Sequence, residues 1–122
     1  MNAGKALIKL SQYHEALNAF TRSENINPEL ASIYILKAFC YRQLGHFNKA
    51  QNAYEKALKI QPNYALTHYN YAILLDLYLQ KPAQALQHFE DYQALQNKPD
   101  KQVKRWIKEL NRRVIRESSN RP

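Results

Sequence analysis

The side chains best suited to metal binding or nucleophilic attack in this chain are four histidines, His14, His46, His68 and His88, and one cysteine, Cys40. A zinc-type site needs three or four ligands, and helices commonly supply them in pairs at i, i+3 or i+4. No two histidines stand at such a spacing, and no second cysteine assists. His88 and Asp91 stand at i and i+3, an exposed helical spacing of little specificity. A catalytic thiol needs a base beside it and an activated setting, and the sequence around Cys40 carries no signature of either. Its bland reading is a small buried residue. Serine triads and paired catalytic carboxylates are absent as well. Two glycines in the whole chain leave no material for a phosphate-cradling loop. These residues predict no metal, no cofactor and no catalytic group, so the chain reads as a non-enzyme.

Charge is the other chemically distinct feature. The formal net charge is +8. Residues 1–99 hold 10 basic and 7 acidic side chains, net +3, and residues 100–122 hold 8 and 3, net +5. The excess therefore sits at the C-terminal end, on Lys101, Lys104, Arg105, Lys108, Arg112 and Arg113, followed by Arg116 and Arg121. A charge-rich helix face is ordinarily solvated, and bases late in a helix also favour its dipole. The sharper reading is contact with an acidic partner, nucleic acid or an anionic membrane surface. Trp106 is the lone aromatic among these bases, which weakens the case for stacking on single-stranded nucleic acid.

Which elements must position these residues follows from composition. Hydrophobic residues make up 45% of the chain, enough to bury a core. Scarce glycine and abundant Ala, Leu, Lys, Gln and Glu favour helices. No run approaches the roughly 20 apolar residues that span a bilayer, and the N-terminus has no secretory-signal pattern. Cys40 has no internal disulfide partner. The compartment stays open: cytoplasmic, or a bacterial cell envelope if an upstream targeting segment is missing.

Spacing says more than any single residue. Ala16, Phe20 and Pro28 recur, at one constant offset, as Ala50, Tyr54 and Pro62. At the same offset Gly4 recurs as Ala38, and Leu7 as Tyr41. A fixed period of about 34 residues marks a stack of small units rather than a catalytic domain around a cleft. From Ala31 to Tyr64 the unit offers Tyr34, Ala38, Tyr41, Gly45, Phe47, Ala50, Tyr54, Ala57 and Pro62. Small residues let helices approach, aromatic residues fill the remaining space, and Gly45 suits the left-handed turn that ends a helix.

This pattern resembles the tetratricopeptide repeat, a helix–turn–helix unit with that period. The resemblance implies an all-α, right-handed α-solenoid with a C-terminal capping helix. It places a truncated unit over 1–30, a full unit over 31–64, a third over 65–98 with a one-residue insertion, and a basic capping helix and tail over 99–122. Lys37, where the family usually has Leu, is the one clear departure of the middle unit.

The outer units are less regular. Counted back from Pro28, the first unit lacks four residues, and its first helix is expected over about Asn2 to Leu10. Ser11 stands there in place of the usual Gly, with His14 in the turn that follows. The missing residues predict more chain upstream in the native protein; the rival reading is a short, frayed first helix. The third unit carries Tyr69, Ala72, Leu75, Ala85 and Phe89, with an extra residue expected near Leu79-Gln80-Lys81-Pro82. Tyr92 is bulky where small residues are the family rule. Beyond Pro99, Asp100 is a helix N-cap. Val103, Ile107, Leu110 and Val114 form one apolar stripe, widened by Trp106 and Ile115, as a terminal cap requires.

By the family's geometry the first helix of each unit lines a concave groove. Carried over, the first unit supplies Lys5, Ile8 and Lys9. The second supplies Ser32, Ile35, Leu36, Phe39, Arg42 and Gln43. The third supplies Leu66, Tyr69, Asn70, Ile73, Asp76 and Leu77. An apolar strip with charges beside it suits an amphipathic helix or an extended peptide of a protein partner, with Phe39 and Tyr69 as expected anchors. Self-covering by the cap, by upstream chain or by a second copy is the competing use, and makes the chain a self-associating building block. The family's carboxylate-clamp positions are Met1, Lys5, Leu36, Leu66 and Asn70 here, and these residue types do not fit a clamp. The segment from Asn70 to Leu79, with Trp106 and Ile107, is similar to tetratricopeptide proteins of Gram-negative bacteria.

Overall fold

The computed structural model describes the backbone of residues 2–119 and the side chains of residues 9–119. Among the described residues there are six α-helices, one π-helical turn and no strand. They fall into two compact units that divide between Pro62 and Asn63.

The first unit holds α1 (Asn2–Ile26), α2 (Ala31–Gln43) and α3 (Phe47–Ile60). Helix α1 is a single 25-residue helix, not the expected pair of helices with a turn after Leu10. His14 accordingly lies within a helix. The middle repeat shows why. There Gly45 has φ +80°, and its N–H donates to Arg42 O at 3.1 Å while the His46 N–H donates to Tyr41 O at 2.8 Å. That paired arrangement closes a helix through a left-handed residue, which costs a glycine little. Ser11 stands one repeat period earlier and carries a Cβ, which makes the left-handed turn costly. The helix therefore winds on through it.

Helix α1 turns a stripe of partly buried residues inward, Tyr13, Ala16, Leu17, Phe20 and Glu24, at the spacing of one helical face. Ala38, Ala50 and Ala57 are fully buried, and Tyr34 and Tyr54 are each 2% exposed. The Tyr34 hydroxyl donates to Pro28 O at 2.9 Å, tying α2 to the turn before it. Lys37, the departure from family pattern, has a partner: its ammonium donates to Glu24 Oε2 at 2.7 Å. That bond, together with the charges of Lys37 and Lys56, holds the Glu24 carboxyl below the usual carboxylate range against the opposing effect of burial.

The second unit holds α4 (Ala65–Ile73), the π turn (Leu74–Tyr78), α5 (Pro82–Ala94) and α6 (Lys101–Ser119). A π turn winds one more residue than an α turn. The Leu79 N–H accordingly donates to Leu74 O at 3.0 Å, skipping the α-helical partner. The interval from Ala72 to Ala85 is longer by one than that from Ala38 to Ala50. The extra residue is wound into the helix end, upstream of the expected site at 79–82. Gln80 then takes the left-handed conformation, φ 52°, in the role that Gly45 plays in the first unit. Pro82 opens α5 in its first turn, where a missing N–H costs nothing.

A non-glycine residue in the left-handed region costs about 1–2 kcal/mol, part of which glycine returns as lost chain entropy. Gln80→Gly is therefore expected to stabilise the protein by about 0.5–1 kcal/mol. Urea unfolding checks this, and an unchanged or lower midpoint would contradict it.

Asp100 caps α6: its Oδ1 accepts from the Gln102 N–H at 2.9 Å and the Val103 N–H at 3.2 Å. Gln93 fixes the link from α5, donating to Asp100 O and accepting from the Asp100 N–H, both at 3.0 Å. Of the expected stripe on α6, Val103 and Leu110 are buried, Trp106, Ile107 and Val114 are half-buried, and Ile115 is exposed.

Candidate functional site

On α2 of the first unit, four of the expected groove residues form one exposed stripe. Ser32, Leu36, Phe39 and Gln43 follow one another at spacings of four, three and four along α2, and all are exposed. Leu36 is 46% and Phe39 42% exposed. Two apolar side chains of this size on one open face set the stripe apart from the polar helix faces around it. Ile35 and Arg42 flank it, half-buried. Phe39 is held in place: Tyr13 of α1 meets it edge-on, ring centroids 6.0 Å apart, and the Arg42 guanidinium lies 5.6 Å from its ring centroid. Lys9 is exposed. The side chains of Lys5 and Ile8 lie outside the described residues, as do Met1 and Arg121.

The second unit treats its groove positions differently. Tyr69, expected as a free anchor, is engaged within the unit. Its ring lies 5.1 Å from that of Tyr92, 6.1 Å from Trp106 and 6.2 Å from Phe89. Asp76, on the π turn, pairs with Arg113 of α6. The cap helix thus brings Trp106 and Arg113 onto residues that the sequence alone assigns to a partner. Asn70 and Ile73 are half-buried, while Leu66 and Leu77 remain 50% and 66% exposed. A cleft of about 610 Å³ stays open beside Asp76, Trp106, Glu109 and Arg113. Bulky Tyr92 is half-buried against Tyr69 and reaches the cap residue of α6, its hydroxyl 3.4 Å from Asp100 Oδ2.

The basic residues of α6 divide in the same way. Lys101, Lys104, Arg105, Lys108, Arg112 and Arg116 are exposed, whereas Arg113 is half-buried on Asp76. Cys40 is 4% exposed, and burial pushes its thiol pKa up, opposite to what a nucleophile requires.

One cluster escaped the sequence reasoning. His68 of α4 and His88 of α5 meet with their Nδ1 atoms 3.0 Å apart, and Asp91 Oδ2 lies 3.8 Å from His68 Nδ1. The two histidines are far apart in the chain, so no local spacing rule finds them. Repeat register does. His68 corresponds to Tyr34, and with the extra residue counted His88 corresponds to Ala53. Those two residues border a common cleft in the first unit.

Comparison with known proteins agrees with this architecture. Two models of the tetratricopeptide repeat match the sequence, one over residues 1–30 and one over residues 31–64. Anaphase-promoting complex subunit 3 of Dictyostelium discoideum is 39% identical over 51 residues, covering 42% of this chain and 5% of that protein. The chain thus spans a small fraction of that relative's length. Among solved structures, the TPR domain of Arabidopsis OM64 superposes with a TM-score of 0.73 at 23% identity, covering 89% of this chain and 88% of that one. The second TPR domain of human RPAP3, solved in complex with the HSP70 peptide SGPTIEEVD, superposes with a TM-score of 0.72 at 19% identity and 90% coverage of each chain. These likenesses show the all-α tetratricopeptide fold, and they lend no support to the expected Gram-negative type. The two repeat matches run without a gap through residue 64, more than half the sequence, and the chain belongs to the tetratricopeptide repeat family.

Proposed function

We propose that this chain is a non-catalytic protein-interaction module whose contact surface in the first unit is the exposed stripe on α2. The carrying observation is the pair Leu36 and Phe39, 46% and 42% exposed on one helical face. Phe39 is oriented by Tyr13 and Arg42, so little side-chain freedom is lost when a partner covers it. Aromatic anchors of this kind commonly dominate binding energy. The occupant is a peptide or helix of a protein partner with an apolar side chain to cover Phe39 and an acidic residue beside it, matched to the Arg42 charge. The peptide complex of the human RPAP3 domain supports peptide capture as a use of this fold. Tyr69, packed against Trp106 and Tyr92, contributes to the fold of the second unit rather than to capture.

Peptide display on the full chain tests the proposal. The selected peptides are expected to share an apolar anchor with a neighbouring Asp or Glu. Leu36→Ala combined with Phe39→Ala is expected to weaken their binding about thirtyfold or more. Both side chains are half in solvent, so circular dichroism should show the helices intact. Binding unchanged in the double variant would remove α2 from the contact surface.

A further inference from the structure

We propose that His68, His88 and Asp91 bind one divalent transition cation of the zinc type across α4 and α5. Two nitrogens each ~2.0–2.1 Å from a tetrahedral zinc ion stand about 3.3–3.4 Å apart. The Nδ1 atoms of His68 and His88 are 3.0 Å apart, so the two rings need part by only about 0.4 Å to admit the ion. Three potential ligand atoms, one from each residue, lie within 4.8 Å of one another. Asp91 follows His88 at i+3, so one face of α5 presents both. Its other oxygen, Oδ1, accepts from Gln87 Nε2 at 3.1 Å, which restrains the carboxylate with Oδ2 on the histidine side. Such outer hydrogen bonds ordinarily orient metal ligands. His88 is steadied by Tyr71, whose ring centroid is 4.6 Å away.

The surroundings suit a cation reached from solvent. His68 is 7% exposed, while the Asp91 side chain is 40% exposed, leaving an open side for the ion and a water ligand. Two imidazole nitrogens and one carboxylate favour zinc, cobalt or nickel over magnesium or calcium, which prefer oxygen donors. A hydrogen bond across the 3.0 Å gap requires a proton on one of the two Nδ1 atoms in the metal-free protein, with the other accepting. Cation binding uses both Nδ1 lone pairs. The proton therefore leaves that Nδ1, and the ring takes its other neutral tautomer, protonated on Nε2. No bond is oxidised or reduced. The bound ion links α4 to α5 where the sequence supplies no disulfide.

Titration of the tag-free full chain with CoCl2 and ZnCl2 tests this. One equivalent of cobalt should bind with visible absorption bands, zinc should displace it, and zinc should raise the thermal midpoint. MgCl2 should do neither. His88→Gln and Asp91→Asn, each checked for folding by circular dichroism, should weaken binding by about tenfold or more. His14→Gln and His46→Gln should leave it unchanged. Asp91→Asn alters the more exposed ligand and keeps the test valid if His88→Gln fails to fold. No stoichiometric cobalt binding by the wild type overturns the proposal. So does binding that survives in the folded variants or that is lost with His14 or His46.

Discussion

Phe89→Ala is expected to cost about 3–5 kcal/mol, the range for a buried aromatic side chain truncated to a methyl. Phe89 is 2% exposed. Its ring meets Trp106 at 5.6 Å and Tyr69 at 6.2 Å between centroids. It also lines an open cleft of about 170 Å³ with Ile73, Asp76, Leu77 and Trp106. Truncation would extend that cleft inward and remove the contacts with both rings, and the cost should fall within that range. Whole domains are stable by only about 5–15 kcal/mol, which makes this a large fraction. Trp106 is the only tryptophan and touches the lost ring. Urea unfolding followed by its fluorescence reports the second unit directly. The native emission should shift to the red as α6 loses its seat. Phe89→Leu keeps most of the volume and should cost much less. A loss below about 1.5 kcal/mol in Phe89→Ala would mean that the cap helix settles into the void, and that the aromatic cluster does not fix its position.

The legible parts of this molecule are those where a residue type is tied to a backbone conformation or to a repeat period. Gly45 announces a left-handed turn because few other residues adopt it cheaply, and Asp100 announces a cap because its carboxylate reaches two free N–H groups. The buried alanines recur at the period of the stack. The failures share a cause: register places a turn, but only a suitable residue makes one. Ser11 lacks the freedom that stops a helix there, and α1 runs through. An added residue can be looped out or wound in, and the sequence between Ala72 and Ala85 does not distinguish the two. Here it is wound into a π turn and Gln80 takes the strained conformation. Of the positions assigned to a groove, those on α2 leave Leu36 and Phe39 exposed. In the second unit Tyr69 and Asp76 are engaged by Trp106 and Arg113 from the last helix, which no spacing within a repeat announces. The histidine cluster depends on side chains from two helices meeting, which only the repeat register encodes.

Ala50→Leu tests the opposite kind of packing. The first unit is held by close approach rather than by bulk: Ala38, Ala50 and Ala57 are all 0% exposed, and Ala50 lies in the first turn of α3, its N–H donating to His46 O at 3.0 Å. Leucine adds three carbons where no space exists, and overpacking of this kind costs about 1–3 kcal/mol through displaced rotamers and backbone shifts. The alternative is a small outward movement of α3. That movement would strain the Gly45 turn, which joins α2 to α3 through Leu44, Gly45 and His46 alone. The cost should therefore fall in the upper half of the range. Ala83→Leu, at an exposed position in the first turn of α5 rather than in the core, should stay within about 0.5 kcal/mol of the wild type. Circular dichroism during thermal or urea unfolding measures both. An Ala50→Leu midpoint equal to that of Ala83→Leu would mean that α2 and α3 yield at low cost, and that small residues are not what sets their separation.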